Sequence, residues 1–118
     1  MSYSVLFTPK MLRAAKQIAR KHCSLKADLA GLVKQLEANP KLGTALGNNA
    51  YKIRLAIRSK QRGKSGGARV ISYVETLVLE PEESGQVVLL AIYDKSVRET
   101  MTEQEISALV KEYLDSKS

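Results

Sequence analysis

Lys52 and Arg54 stand two residues apart in the run YKIRLAIR, residues 51–58, where apolar and basic side chains alternate. On a strand that spacing puts both cations on one face, roughly 7 Å apart. The interval is comparable with that between neighbouring phosphates of one nucleic-acid strand, so two such cations can share a single backbone. Arg69 lies early in a second run, residues 68–75, which is β-branched and aromatic enough to return as a strand. If it points to the same face, its guanidinium can hold a phosphate with two N–H groups. It can also stabilise the extra negative charge of a pentacoordinate phosphorus. Arg58, Lys60, Arg62 and Lys64 carry the positive charge through the connecting segment, which suits contact along a backbone.

Other candidate groups are fewer. Tyr73 and Tyr93 can stack on bases, or pack within a sheet as aromatic residues commonly do. Tyr93 closes an apolar run and precedes Asp94-Lys95, which puts it and Lys95 at the mouth of the same region. Gly63-Lys64-Ser65 has the ending of a phosphate-binding P-loop, but that motif needs a glycine five residues earlier, where Arg58 stands. It also needs a helix after the loop, and here a strand follows. Nucleotide binding is therefore excluded. His22 is the sole histidine and is expected to act as a helix-end cation, with Cys23 beside it a small buried hydrophobe. Neither a metal site nor a cofactor is expected from this pair. Any phosphate chemistry would run on lysine, arginine and tyrosine.

The charge distribution supports that focus. The formal net charge is +7, and seven of the nineteen basic residues fall in residues 51–73 with no acidic residue among them. The remaining twelve are balanced by twelve acidic residues, so a local field rather than a general solubility device is implied. The 118 residues, 44% of them apolar, suit one domain spanning 1–118. No apolar run approaches the roughly 18–20 residues of a membrane helix, and the opening residues lack the pattern of a signal peptide. One cysteine cannot close an internal disulfide, so a cytoplasmic location is expected.

The elements that must position these groups follow from periodicity. Ser2–Phe7 reads as a strand. Thr8 and Pro9 are the cap and first position of a helix to about Lys21, with Leu12, Ala15, Ile18 and Ala19 as its apolar stripe. Ser24 is expected to cap a second helix with Leu25, Leu29, Leu32 and Leu36 on one face, ended by Asn39-Pro40. Residues 42–50 read as a loop, 51–58 and 68–75 as strands around a hairpin loop at 59–67, and 80–85 as an acidic turn. Residues 87–93 form an apolar run suited to a strand covered on both sides. Thr102 to Glu105 is a capping box, with Met101 and Ile106 as its staple, opening a last helix. The fold class is α+β: an antiparallel central sheet, an N-terminal helical hairpin and a C-terminal helix.

The segment YKIRLAIRSKQRGKSGGARVISYV at 51–74, followed by LLAIYDKS at 89–96, resembles the RelE/ParE toxin superfamily, closest to its HigB-like branch. The shared pattern is K-I-R, G-K-x-G-G-x-R and I-Y-x-K, preceded by Asn39-Pro40 and Gly43. The resemblance implies a RelE-like fold and the toxin of a type II toxin–antitoxin pair. Such a toxin enters the ribosomal A site, cuts mRNA without metal or cofactor by attack of a ribose 2′-hydroxyl, and is silenced by a DNA-binding antitoxin. It also implies roles: Lys52 and Arg54 as the cationic pair, Arg69 as the transition-state arginine, Lys95 as the lysine after the central strand, and Arg62 and Lys64 as the basic loop. The sequence departs from the pattern after Lys95, where Ser96 replaces an arginine and no tyrosine stands near Thr102. The general acid and base are thus unassigned, with Tyr93 the available substitute. Two other readings stay open, a ParE-like inhibitor of DNA gyrase and a non-catalytic nucleic-acid-binding domain.

Overall fold

The apolar run at residues 87–93 needs covering on two faces, and the chain supplies a layer of helix for each. The computed structural model describes residues 2–60, 67–98 and 100–117. Five strands form one sheet in the order β1-β5-β4-β3-β2: β1 Ser2–Phe7, β2 Thr44–Gly47, β3 Ala50–Leu55, β4 Ala68–Val78 and β5 Ser84–Asp94. Strands β2 to β5 pair antiparallel, as the meander reading expects. Strand β1 joins the sheet in parallel with β5, from Ser2 opposite Ser84 to Phe7 opposite Leu89. The sheet is therefore mixed, with its antiparallel strands forming the centre.

Helices α1 (Pro9–Lys21) and α2 (Leu25–Ala38) cover one face, where Met11, Leu25, Leu32 and Leu36 pack on Ile53, Val70, Val87 and Leu89. Helix α3 (Glu103–Ser116) covers part of the other, where Ile106 and Tyr113 pack on Ile71, Val88 and Leu90. The Thr8 hydroxyl accepts from the Met11 amide at 3.2 Å and donates to the Leu89 carbonyl, fastening the start of α1 to β5. At α3 the capping box is complete: the Glu105 amide donates to the Thr102 hydroxyl, and the Glu105 carboxylate accepts from the Thr102 amide.

Several expectations need correcting. Residues 42–50 are not all loop. Strand β2 hairpins onto β3 through Asn48 and Asn49, both with positive φ (52° and 66°), a conformation asparagine tolerates better than most residues. Strand β3 ends at Leu55, and Arg58–Lys60 is a 3-10 turn rather than the end of a strand. Ser24 occupies the cap position of α2, but its hydroxyl donates to the Asp28 carboxylate at 2.7 Å instead of capping the helix. Cys23 is exposed, not buried, because it lies in the corner between α1 and α2.

Strand β5 carries one irregularity. Ile71 pairs with Ala91 and Ser72 with Leu89, so Leu90 is an extra residue in β5. Before the bulge Val87 and Leu89 face the helical hairpin; after it Ile92 does, while Leu90, Ala91 and Tyr93 all face the α3 side.

Candidate nucleic-acid interface

The interface is built by register. In β3, Tyr51, Ile53 and Leu55 face the helical hairpin, which turns Lys52 and Arg54 to the opposite face. Arg54 pairs with Arg69 of β4, and Arg69 pairs with Tyr93 of β5. Residues paired across antiparallel strands share a face, so Arg54, Arg69 and Tyr93 form one row across three strands. Lys52 stands in the next row, opposite Ile71. The sheet thus brings together four of the residues expected to act on a phosphate.

Their environments differ. Arg54 is exposed and Lys52 half-buried, whereas Arg69 is only 6% exposed and its Nη1 donates to the Ala68 carbonyl at 3.2 Å. Two like charges directly opposite each other destabilise a sheet, so the Arg54–Arg69 pair is a place where an anion bridging both would be stabilising. Tyr93 is buried, and its hydroxyl has no hydrogen-bond partner among the described residues. Lys95 is half-buried in the turn after β5, where its amide donates to the Gly67 carbonyl at 3.0 Å.

Other expected residues lie elsewhere. The Lys60 ammonium is 2.7 Å from Asp94 Oδ1 and 3.3 Å from the Ser96 hydroxyl, with its side chain nearly buried. It is held on the hairpin side of the sheet and is not offered to a ligand. Arg58 is exposed but also on that side: its amide donates to Asp28 at 3.2 Å and its Nε is 3.8 Å from the same carboxylate. Tyr73 packs edge-on to Tyr113 with ring centroids 6.2 Å apart, beneath α3 and four residues along β4 from Arg69. It is placed as a packing aromatic. Arg62 and Lys64 lie outside the described residues.

Two residues join the site that the sequence did not single out. Arg98 lies over the Tyr93 ring, 5.8 Å from its centroid, donates to the Thr100 carbonyl and pairs with Glu105. The Arg98 hydrogen bond, with that from the Thr102 amide, holds the Glu105 carboxyl down at about 2. Asp94 ties the surroundings of the row together. It accepts from Lys60 and Ser96, and His22 Nε2 is 3.4 Å away. Burial alone would raise its pKa, but the bonds from Lys60 and Ser96 outweigh burial and hold it well below the carboxylate range. The Tyr-Asp-Lys-Ser turn does contain a signal for Asp94, a carboxylate two residues before a turn hydroxyl, but its tyrosine and lysine are the more conspicuous groups. Arg98 has only its basic side chain to mark it.

No family model matches the sequence, and no curated protein matches it. Among solved structures, a double arginine-to-alanine mutant of the E. coli toxin RelE in its free state matches with a TM-score of 0.54 and 17% identity. The match covers 84% of this chain and 90% of that one. The fold is RelE-like. The fold expected from residues 51–74 and 89–96 is thus the fold found, and the match does not single out the HigB-like branch. Within this RelE-like frame the row runs from the exposed Arg54 to Arg69 and Tyr93, both buried, with Tyr93 in the cluster beneath α3.

Proposed function

We propose that the chain is the toxin of a type II toxin–antitoxin pair, a single cytoplasmic domain that cuts mRNA on the ribosome. The observation that carries this reading is the register Arg54–Arg69–Tyr93, which gathers cations on one sheet face with no carboxylate in β3 or the first half of β4. The RelE-like fold supports it.

In the proposed reaction a ribose 2′-oxygen forms a bond to the adjacent phosphorus and the bond to the 5′-oxygen breaks. The products are a 2′,3′-cyclic phosphate and a 5′-hydroxyl. Arg54, being exposed, takes the phosphate oxygens. Arg69 acts from behind it, where burial weakens solvent screening of its charge as negative charge develops. Tyr93 supports the row: its hydroxyl is buried, and its ring carries Arg98. The groups left for the proton steps are Lys52, in the adjacent row, and Lys95, in the turn after β5. Arg62 and Lys64 extend the grip along the RNA. A DNA-binding antitoxin would neutralise this surface.

The test incubates purified chain with mRNA, with and without ribosomes, and maps 5′ ends by primer extension. Cleavage only with ribosomes, leaving 5′-hydroxyl ends, is expected. Gyrase-linked DNA breaks with intact mRNA would replace this reading with gyrase inhibition.

A further inference from the structure

The edge of the sheet beside α2 holds a second concave site, around the corner from the cationic row. Strand β2 pairs with β3 only as far as Thr44, opposite Lys52, whereas β3 runs on to Leu55. The Lys52 carbonyl lies against Gly43, and the Leu55 carbonyl lies on the other side of the strand, against Gly67. Alternation therefore points the Arg54 N–H and C=O to the β2 side, past the end of that strand. There they open on a groove of about 520 Å³ between β3 and α2. Its helical wall carries Ala27 and Gly31, four residues apart on one face, and a side chain at Gly31 would meet open space.

One carboxylate lines the groove. The Asp28 side chain is only 2% exposed, and its Oδ2 accepts from the Ser24 hydroxyl and the Arg58 amide. Among the described residues no hydrogen bond reaches its Oδ1, for the Arg58 Nε stands 3.8 Å away. A buried acceptor with spare capacity calls for an N–H donor. Arg54 and Arg58, both exposed, form the lips. A free anion inside would meet Asp28. An extended peptide finds almost no edge to pair with, since β2 takes it up to Lys52 and the 3-10 turn starts at Arg58. A nucleobase meets every demand: a flat ring against Ala27 and Gly31, polar edges on the Arg54 backbone and Asp28, and phosphates on the arginines outside. Adenine, guanine and cytosine each bring an exocyclic amine to the carboxylate. Uracil brings one ring N–H between two carbonyl oxygens, which the carboxylate repels.

We propose that this groove seats one nucleobase of the RNA, and that Asp28 selects a base with an exocyclic amine over uracil. The inference rests on the reading that the substrate is RNA. The probes are fluorescein-labelled 2′-O-methyl tetranucleotides of adenine and of uracil, which have no free 2′-hydroxyl to attack and are titrated without ribosomes. The adenine probe should bind at least about tenfold tighter than the uracil probe, with amide shifts at Gly31, Gln35 and Ala56, which line the groove. Gly31→Leu, at an exposed helical position, fills the groove and should bring both probes to one affinity while the protein stays folded. Asp28→Asn, whose amide can donate to a carbonyl, should narrow the preference at least about fivefold. Binding of neither probe, equal binding by wild type, a preference retained in Gly31→Leu, or shifts centred outside the groove would each overturn the proposal. Ribosome-dependent cleavage in any of those cases would leave the toxin reading intact. A preference abolished by Gly31→Leu, in a chain that cuts no mRNA, would uphold the groove and overturn the toxin reading instead.

Discussion

Replacing Arg69 by methionine separates charge from packing. Arg69 sits 6% exposed in β4, directly opposite Arg54 and Tyr93. Methionine keeps most of the buried stem, whose three methylenes are worth about 2.4 kcal/mol at about 0.8 each, and removes the guanidinium. The losses are the hydrogen bond to the Ala68 carbonyl and the other partners of the guanidinium, at about 1–3 kcal/mol. Against this, the like-charge pairing with Arg54 disappears, a relief of up to about 1 kcal/mol, and a buried charge no longer needs desolvating. The two sides nearly cancel, so the melting temperature should move by only a few degrees. Activity should behave differently. Losing one preorganised group aimed at developing charge costs about 10²–10³ in rate, or about 2.7–4 kcal/mol at the transition state. Arg69→Lys should recover little, since an ammonium lacks the planar fork. The assay is growth arrest on induction, with ribosome-dependent cleavage rates and thermal melts of the same preparations. Wild-type cleavage by Arg69→Met at equal abundance would falsify the role given to the buried arginine. Activity that falls only in step with melting temperature would also sink it.

The remaining predictions concern the frame of the row. Asp94→Asn leaves Lys60 buried without its carboxylate and should cost about 3 kcal/mol or more at neutral pH. Because the folded Asp94 pKa lies below the ordinary 3.8, that advantage of wild type is complete above pH 3.8 and is lost as pH falls towards the folded value. Urea melts from pH 7 to pH 3 should show the gap constant, then narrowing below about pH 4; a gap that widened in acid would reverse the assignment. A Cβ at Gly67 would collide with the Leu55 carbonyl, so Gly67→Ala should lose about 1–3 kcal/mol, whereas Gly31→Ala in α2, with open space around it, should gain about 1. Thermal melts of both variants check this pair. Finally, RNA binding should weaken with salt, and Lys64→Ala should reduce the log–log slope by about 0.7–1; an unchanged slope removes Lys64 from the backbone contact.

Local pattern carried much of this fold. The alternation in residues 51–55 turned Lys52 and Arg54 to one face, and Thr102 with Glu105 marked the start of α3, because these signals span only a few residues. Partners distant in sequence were not legible. Nothing local says that β1 pairs with β5, or that Lys60 reaches Asp94, 34 residues away. The hairpin at Asn48-Asn49 hid among loop-like residues because its signal is a backbone conformation, not a hydrophobic period. Tyr73 and Tyr93 look alike in sequence; only α3 decides that the first packs against Tyr113. Net charge misled in another way. Balancing twelve basic against twelve acidic residues concealed that α1 alone carries five cations and no acid.

Leu90 sets which side chain meets the arginines. If β5 ran without its extra residue out of register, Ile71 would pair with Leu90, and Arg69 would face Ile92 in place of Tyr93. Tyr93 would then turn into the helical hairpin, and Asp94 would emerge beside the guanidinium. A carboxylate there would add negative charge beside the arginines and repel the phosphate proposed to bind the row. The Lys60 amine would be left buried on the other side of the sheet. How positive this face is thus depends on one surplus backbone unit in a strand that carries no charge of its own before Asp94.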